Sequence, residues 1–246
     1  MMENEPSIRN LFEALAEINR RPDSRPLESR AERAIERGNR YLQVAFDRDL
    51  GRVNEVLPRL PDSERILVEV GTPLIKMYGA RAIREIRGMC GNYVVADVKV
   101  MDRGRMEVEN AVSAGADGVV CLGSSPVETL DFFIEHCSSH GVDSLIDFMN
   151  VEKPVRVLRR LAEQPDVVIL HRGFDEYTNK SKQLPLAEIS DIRDQYATPI
   201  SVAGGVNLDD IQRAFFNGAD IFVLTDSLTP PAEIPGIAAE FLKQTK

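Results

Sequence analysis

From residue 41 onward the apolar and polar positions recur in one order. A short β-branched run is followed by a polar loop and then by a stretch with the apolar spacing of a helix. The runs are YLQVAFD (41–47), RILVEVG (65–71), YVVADVK (93–99), DGVVCLG (117–123), VDSLIDF (142–148), DVVILHR (166–172), PISVAGG (199–205) and DIFVLTD (220–226). Their starts lie 21 to 28 residues apart, with one longer step of 33 between the sixth and seventh. A strand, a helix and two short loops fit that spacing, and the alternation predicts a parallel sheet. Eight such units predict an α/β fold of the (β/α)₈ TIM-barrel type. A doubly wound open sheet is the competing architecture, and it usually has fewer strands. The phrase GAD opens the fourth unit (115–117) and the eighth (218–220), where it reads as a helix C-cap glycine leading into a strand.

Residues 1–40 stand outside the repeat. Leu11, Phe12, Leu15 and Ile18 have helical spacing, and 22–37 is rich in Pro, Arg and Glu. The expectation is an N-terminal helical extension over 1–40, packed on the lower face of the barrel or serving a subunit contact, followed by the barrel over 41–246.

Composition narrows the partners. An apolar share of 43% over 246 residues supports one large core, and a net charge of −9 without a basic stripe argues against nucleic acid. No apolar run reaches the roughly 18 residues needed to cross a membrane, and the start MMENEPSIRN does not read as a signal peptide. Cys90, Cys121 and Cys137 have no metal-ligand spacing and read as isolated thiols of a reducing compartment. The expected location is therefore the cytoplasm.

Buried strands should be apolar, so charges at strand ends carry the chemical information. Asp47, Glu69, Asp97, Lys99, Asp147 and His171 all fall near the ends of their runs, and Gly204 and Gly205 end the seventh. In a barrel these ends share the face that carries catalysis. Alternation puts Asp97 and Lys99 on one side of their strand, and Asp102 is expected to reach back toward the lysine from the following loop. A lysine between two carboxylates stays protonated and suits an enolate-like oxyanion. Asp97 and Glu69, with Asp47 near, offer oxygen ligands to a hard cation such as Mg²⁺. A structural ion-pair network at the barrel mouth is the plain alternative. His171 is a candidate general acid or base, whereas His136 and His140 fall in a helical segment and read as solvated. Gly204 and Gly205 permit close backbone approach ahead of a helix N-terminus, a place suited to an anion.

QVAFD (43–47), VEVGTPLIKMYG (68–79), ADVKVMD (96–102), AGAD (114–117) and VAGGVN (202–207) together resemble the orotidine 5′-monophosphate decarboxylase superfamily. Within it the resemblance is to the branch of 3-hexulose-6-phosphate synthase and 3-keto-L-gulonate-6-phosphate decarboxylase, from about residue 41 to the C-terminus. It implies that Glu69 and Asp97 hold Mg²⁺, Lys99 stabilises an enediolate, Asp47 binds substrate hydroxyls and His171 moves protons. It also implies a homodimer in which Asp102 works across the interface, with a sugar phosphate or related polyol as substrate. The decarboxylase pattern has an arginine three residues after the histidine. Phe174 stands there in HRGFD (171–175), as in the synthase, so the implied reaction is addition of formaldehyde to ribulose 5-phosphate or its reversal.

One place departs from the pattern. The eighth strand of such enzymes ends in a Gly-Gly or Gly-Arg pair that grips phosphate, and here the chain reads Leu224-Thr225-Asp226-Ser227. An aspartate there opposes a phosphate dianion unless it points away, while Thr225 and Ser227 offer hydrogen bonds. Two readings therefore stand beside the synthase. One is the same chemistry on a different, non-phosphorylated substrate, including a decarboxylation. The other is a catalytically silent barrel acting as a binding subunit.

Overall fold

A computed structural model describes residues 35–179, 181–205 and 207–245. The N-terminal helix expected within 1–40 lies outside these, save for its last few positions. Eight parallel strands close into a barrel in chain order: β1 (Tyr41–Phe46), β2 (Ile66–Val70), β3 (Val94–Val100), β4 (Gly118–Leu122), β5 (Asp143–Asp147), β6 (Val167–His171), β7 (Ile200–Gly205) and β8 (Ile221–Thr225). Each lies within a residue or two of its apolar run. Among the described residues, the helices between them are α1 (Leu50–Val56), α2 (Thr72–Tyr78), α3 (Ala80–Met89), α4 (Gly104–Ser113), α5 (Val127–Ser139), α6 (Pro154–Leu158), α7 (Glu188–Arg193), α8 (Leu208–Phe216) and α9 (Ile234–Gln244). None of them is long and apolar enough to cross a membrane.

The two-residue period of the strands splits the buried side chains into two layers. Leu42, Val44, Phe46, Val68, Val70, Val94, Ala96, Val119, Cys121, Ile146, Val168, Leu170, Val202, Phe222 and Leu224 pack outward against the helices. Tyr41, Ala45, Leu67, Val95, Val120, Leu145, Val167, Ile169, Ala203, Ile221 and Val223 fill the barrel interior. Continuing the inward set toward the C-terminal ends reaches Asp47, Glu69, Asp97, Asp147, His171 and Thr225. The closed barrel thus delivers the strand-end polar groups to a single interior mouth.

The opposite rim is tied by a device that occurs twice. Gly115 and Gly218 follow α4 and α8 with φ +99° and +97°, and the next amide N–H groups bond back into the helix, Ala116 to Ala111 and Ala219 to Ala214. Left-handed backbone of this kind is the glycine cap read in GAD. The aspartate of each phrase then accepts the N–H that opens the previous strand: Asp117 from Val94 (2.8 Å) and Asp220 from Ile200 (2.8 Å). An arginine clamps each corner. Arg87 on α3 donates to the Gly115 carbonyl and to Asp117, and Arg193 on α7 donates to the Gly218 carbonyl and to Asp220. Asp220 also accepts the Gly38 N–H (2.8 Å).

His136 is the exception to the expected surface. It lies on the inner side of α5, buried beside Phe133 and Cys137 in the same helix, and burial followed by the Arg105 charge lowers its pKa. The helical periodicity that places Phe133 and Cys137 inward carries His136 with them.

The rim clamp makes a stability prediction remote from the mouth. Asp220→Ala leaves the Ile200 N–H without its acceptor and the Arg193 guanidinium without its counter-charge, and should lower unfolding free energy in urea by about 2–4 kcal/mol. Removing the exposed Arg52–Glu55 pair should cost less than about 1 kcal/mol. Equal small effects would show that the clamp contributes no more than a surface contact.

Candidate active site

The mouth opens into a cavity of about 640 Å³. Its lining includes Asp47, Glu69, Asp97, Lys99, Asp147, His171, Gly204, Thr225 and Ser227, together with Arg172 and Tyr177 of the connection after β6. Of the residues expected at the site, Asp102 and Gly205 do not line it.

Lys99 stands between two carboxylates. Its Nζ lies 2.9 Å from Asp97 Oδ2 and 2.7 Å from Asp147 Oδ2. Burial works against the ammonium, but Asp97 and Asp147 outweigh it and hold the lysine pKa above its ordinary value. The backbone at Lys99 is left-handed (φ +47°), and the pairing of β3 with β4 shifts register between Ala96 and Val100. A non-glycine residue in that region is strained, and such strain is commonly found at functional sites. The lysine is therefore between two carboxylates as expected, but the second is Asp147 and not Asp102. Past the bulge, Asp102 is exposed and its Oδ1 accepts the neighbouring Arg103 N–H (2.8 Å), so within one chain it does not reach Lys99.

Asp147 is the hub. Its Oδ2 takes Lys99 and His171 Nδ1 (2.8 Å), and its Oδ1 takes the Met149 N–H (2.9 Å). Burial opposes its ionisation, yet His171 and Lys99 hold the carboxyl well below the usual range. With Nδ1 committed to Asp147, Nε2 is the histidine nitrogen left to exchange a proton.

The other carboxylates crowd the neighbouring strands. Burial, then the charges of Asp97 and Asp47, pushes Glu69 well above the carboxylate range, and Gln43 Nε2 donates to its Oε2 at 2.5 Å. Asp47 is raised by burial despite a 2.5 Å bond from the Thr225 hydroxyl. Asp97 Oδ2 also accepts the Thr72 hydroxyl (2.9 Å), whereas its Oδ1 is buried without a hydrogen-bond partner. Among the described residues no group of three or more His, Cys, Asp or Glu side chains stands at metal-holding spacing.

The glycines and the end of β8 answer the question left by the sequence. Gly204 has φ +95°, and a Cβ there would fall 2.4 Å from the Arg172 carbonyl oxygen; a Cβ on Gly205 would enter the Phe222 ring instead. Asp226 is buried and turned away from the cavity, with its Oδ1 accepting the Asp47 N–H (2.9 Å). The helix after the glycines starts with its own acceptors, since the Asn207 side chain takes the Asp210 N–H (3.0 Å) and Asp209 and Asp210 lie in its first turn. Arg172 and Tyr177 were missed in the sequence; the long step between the sixth and seventh strands was their one visible signal.

Comparison with known proteins places this geometry. The model of the orotidine 5′-phosphate decarboxylase / HUMPS family matches residues 40–230. The chain belongs to this family. Among curated proteins it is 39% identical over 208 residues to a "Bifunctional enzyme Fae/Hps" of Methanothrix thermoacetophila, and 38% identical over 210 residues to one of Methanocella arvoryzae. Each alignment covers 84% of this chain and 53% of the relative, so the chain spans about half the length of these relatives. A solved 3-hexulose-6-phosphate synthase matches with TM-score 0.71 at 28% identity, over 84% of this chain and all of that one. A 3-keto-L-gulonate-6-phosphate decarboxylase of Vibrio cholerae shares the fold, with TM-score 0.67 at 21% identity over 84% and 97% of the two chains.

The Asp226 carboxyl carries a pH prediction. Burial raises it from 3.8 to about 6. The folded state therefore keeps its proton to higher pH than the unfolded chain, and stability falls as pH rises from about 4 to about 6, staying lower above that. Asp226→Asn retains an acceptor for the Asp47 N–H and removes the titration. Its Tm relative to the parent should rise by a few degrees between about pH 4 and pH 7.5, at about 2–4 °C per kcal/mol. A difference that stays flat would mean that burial does not strain this carboxylate.

Proposed function

We propose that the chain joins formaldehyde to ribulose 5-phosphate, or runs the reverse cleavage, through an enediolate. The observation that carries this reading is the Lys99 ammonium held between Asp97 and Asp147 on the cavity floor, with His171 on the same Asp147 oxygen. Removing a proton from the carbon beside a ketone leaves negative charge on oxygen, and a fixed buried cation stabilises that charge without reorganising. His171 takes the proton through Nε2 and returns one to the alkoxide formed when the enediolate carbon attacks formaldehyde. Asp47, held through both its backbone and its side chain, accepts hydrogen bonds from the substrate hydroxyls. The similarity to the synthase above one quarter identity supports this choice over decarboxylation, as does exposed Phe174 at the rim.

A divalent cation of the Mg²⁺ kind fits the remaining carboxylates. Asp97 Oδ1 is buried and unpartnered, and Glu69 is raised by burial and then by the charges of Asp97 and Asp47. Glu69 and Asp97 would hold the ion, the rest of its oxygen ligands coming from water and substrate, as is usual for Mg²⁺. When bound it supplies positive charge to the substrate oxygens. The lining of Gly204, Thr225 and Ser227, with Asp226 turned away, suits a phosphorylated sugar.

The first test is formaldehyde-dependent consumption of ribulose 5-phosphate with Mg²⁺ and with EDTA. Turnover should need the metal, and Lys99→Ala should lower kcat/KM by about 10²–10³-fold. No turnover in folded protein that binds a divalent cation would sink the reading.

Asp102 belongs to the second half of the proposal: exposed in its own chain, it completes the site of a second copy in a homodimer. Lys99→Ala and Asp102→Ala, each inactive alone, should regain up to about a quarter of parental activity when unfolded and refolded together, because one mixed dimer site is intact. Mixtures no more active than their components would place Asp102 outside the reaction.

A further inference from the structure

The loops after the seventh and eighth strands are the usual phosphate site of these barrels, yet here they bring no cation to the cavity. Their described lining residues are Gly204, Thr225, Ser227 and Leu228, and the nearby acids Asp209, Asp210 and Asp226 add only negative charge. The basic side chains on the cavity floor, Lys99 and His171, both bond Asp147.

Arg172, one residue past β6, differs from them. It lines the cavity beside Gly204, where a Cβ would lie 2.9 Å from the Arg172 Cβ, and its backbone N–H is fixed to the Ala203 carbonyl (3.1 Å). Its guanidinium lies over the Tyr177 ring, 4.0 Å from the centroid, and the Tyr177 hydroxyl donates to the Gly204 carbonyl. The ring, anchored at its far end, is a platform that holds the guanidinium plane while leaving its N–H edges unused. Nε is buried with no acceptor, and although the Arg172 charge helps to lower the Glu176 pKa, no ion pair of Arg172 forms within 4.0 Å among the described residues. Glu176, a neighbouring acid, is taken up by Lys182 (2.9 Å) and the Gly173 N–H (3.3 Å). A rigid guanidinium with unmet donors at a cavity wall matches the oxygens of a phosphate monoester, which it can bind through two parallel hydrogen bonds.

Resting on the sugar-phosphate reading above, we propose that Arg172, stacked on Tyr177, is the cation that grips the substrate's phosphate in place of one from the β7 and β8 loops. It is a binding residue and takes no part in the proton transfers.

Calorimetric titration of the full chain with ribulose 5-phosphate, ribulose and inorganic phosphate separates the possibilities. Arg172→Met keeps an unbranched stem over the ring. It should weaken ribulose 5-phosphate and inorganic phosphate by about 10–100-fold, as loss of a charged hydrogen bond does, and leave ribulose unchanged. Arg172→Lys, which keeps the charge but not the fork, should fall between parent and Met and serves if the Met variant does not fold. Equal weakening of ribulose, an unchanged affinity for ribulose 5-phosphate, or a parent protein that does not prefer the phosphorylated sugar would each overturn the proposal. The two readings fail separately. If phosphate discrimination is lost in Arg172→Met but the parent shows no formaldehyde-dependent turnover, the reaction is wrong and Arg172 stands. If the parent turns over and Arg172→Met keeps its KM for ribulose 5-phosphate, the reaction stands and Arg172 falls.

Discussion

The arrangement at the mouth depends on one buried ammonium. Lys99 loses hydration in the cavity, and the carboxylates of Asp97 and Asp147 outweigh that loss and keep it charged. Asp147, in turn, is ionised in a buried position because His171 and Lys99 stand against it. Neither charge is stable there without the other, so removing one partner leaves an uncompensated ion in the interior. The pairing requires that β3 and β5, separated by β4, turn the same set of residues inward. Barrel closure achieves this, because side chains of alternate strands meet in one layer.

The same charge count explains the strain around the cluster. Asp47, Glu69 and Asp97 crowd adjacent strands, and Lys99 cannot neutralise all of them while it also serves Asp147. Glu69 is left with the cost, raised well above the carboxylate range by burial and by its neighbours. The cavity is therefore poised for added positive charge on the β2–β3 side. The lower rim is the reverse case. Arg87 and Arg193 meet Asp117 and Asp220 one to one, and every partner also bonds backbone. One end of the barrel has matched charges and holds the strands; the other has mismatched charges and holds the cavity.

Much of this was legible because strands have a period of two. Asp47, Glu69, Asp97, Lys99 and His171 stand at inward positions at the ends of apolar runs, and a parallel barrel gathers such positions whatever the details of its loops. Asp147 was equally visible as a strand-end charge, but its role depends on which strands face one another across the interior, and no local pattern records that. Asp102 shows where alternation stops. The bulge at Lys99 breaks the register of β3, and the side chain three residues on is turned to solvent. Arg172 and Tyr177 lie in a connection with no periodicity to read, and their stacking is a product of how that connection folds back over Gly204.

The aspartate that interrupts the family pattern at the end of β8 is explained by what it does for β1. Asp226 accepts the Asp47 N–H while Thr225 donates to the Asp47 side chain, so two consecutive residues hold one cavity-lining carboxylate by both its ends. An arginine or glycine at 226 has no acceptor side chain to offer that buried N–H. The pair Thr225-Asp226 at the end of β8 is thus committed to fixing Asp47. On the proposed sugar-phosphate reading, the positive charge for the phosphate comes from elsewhere on the rim, where among the described lining residues Arg172 is the cation without an ion pair to a carboxylate.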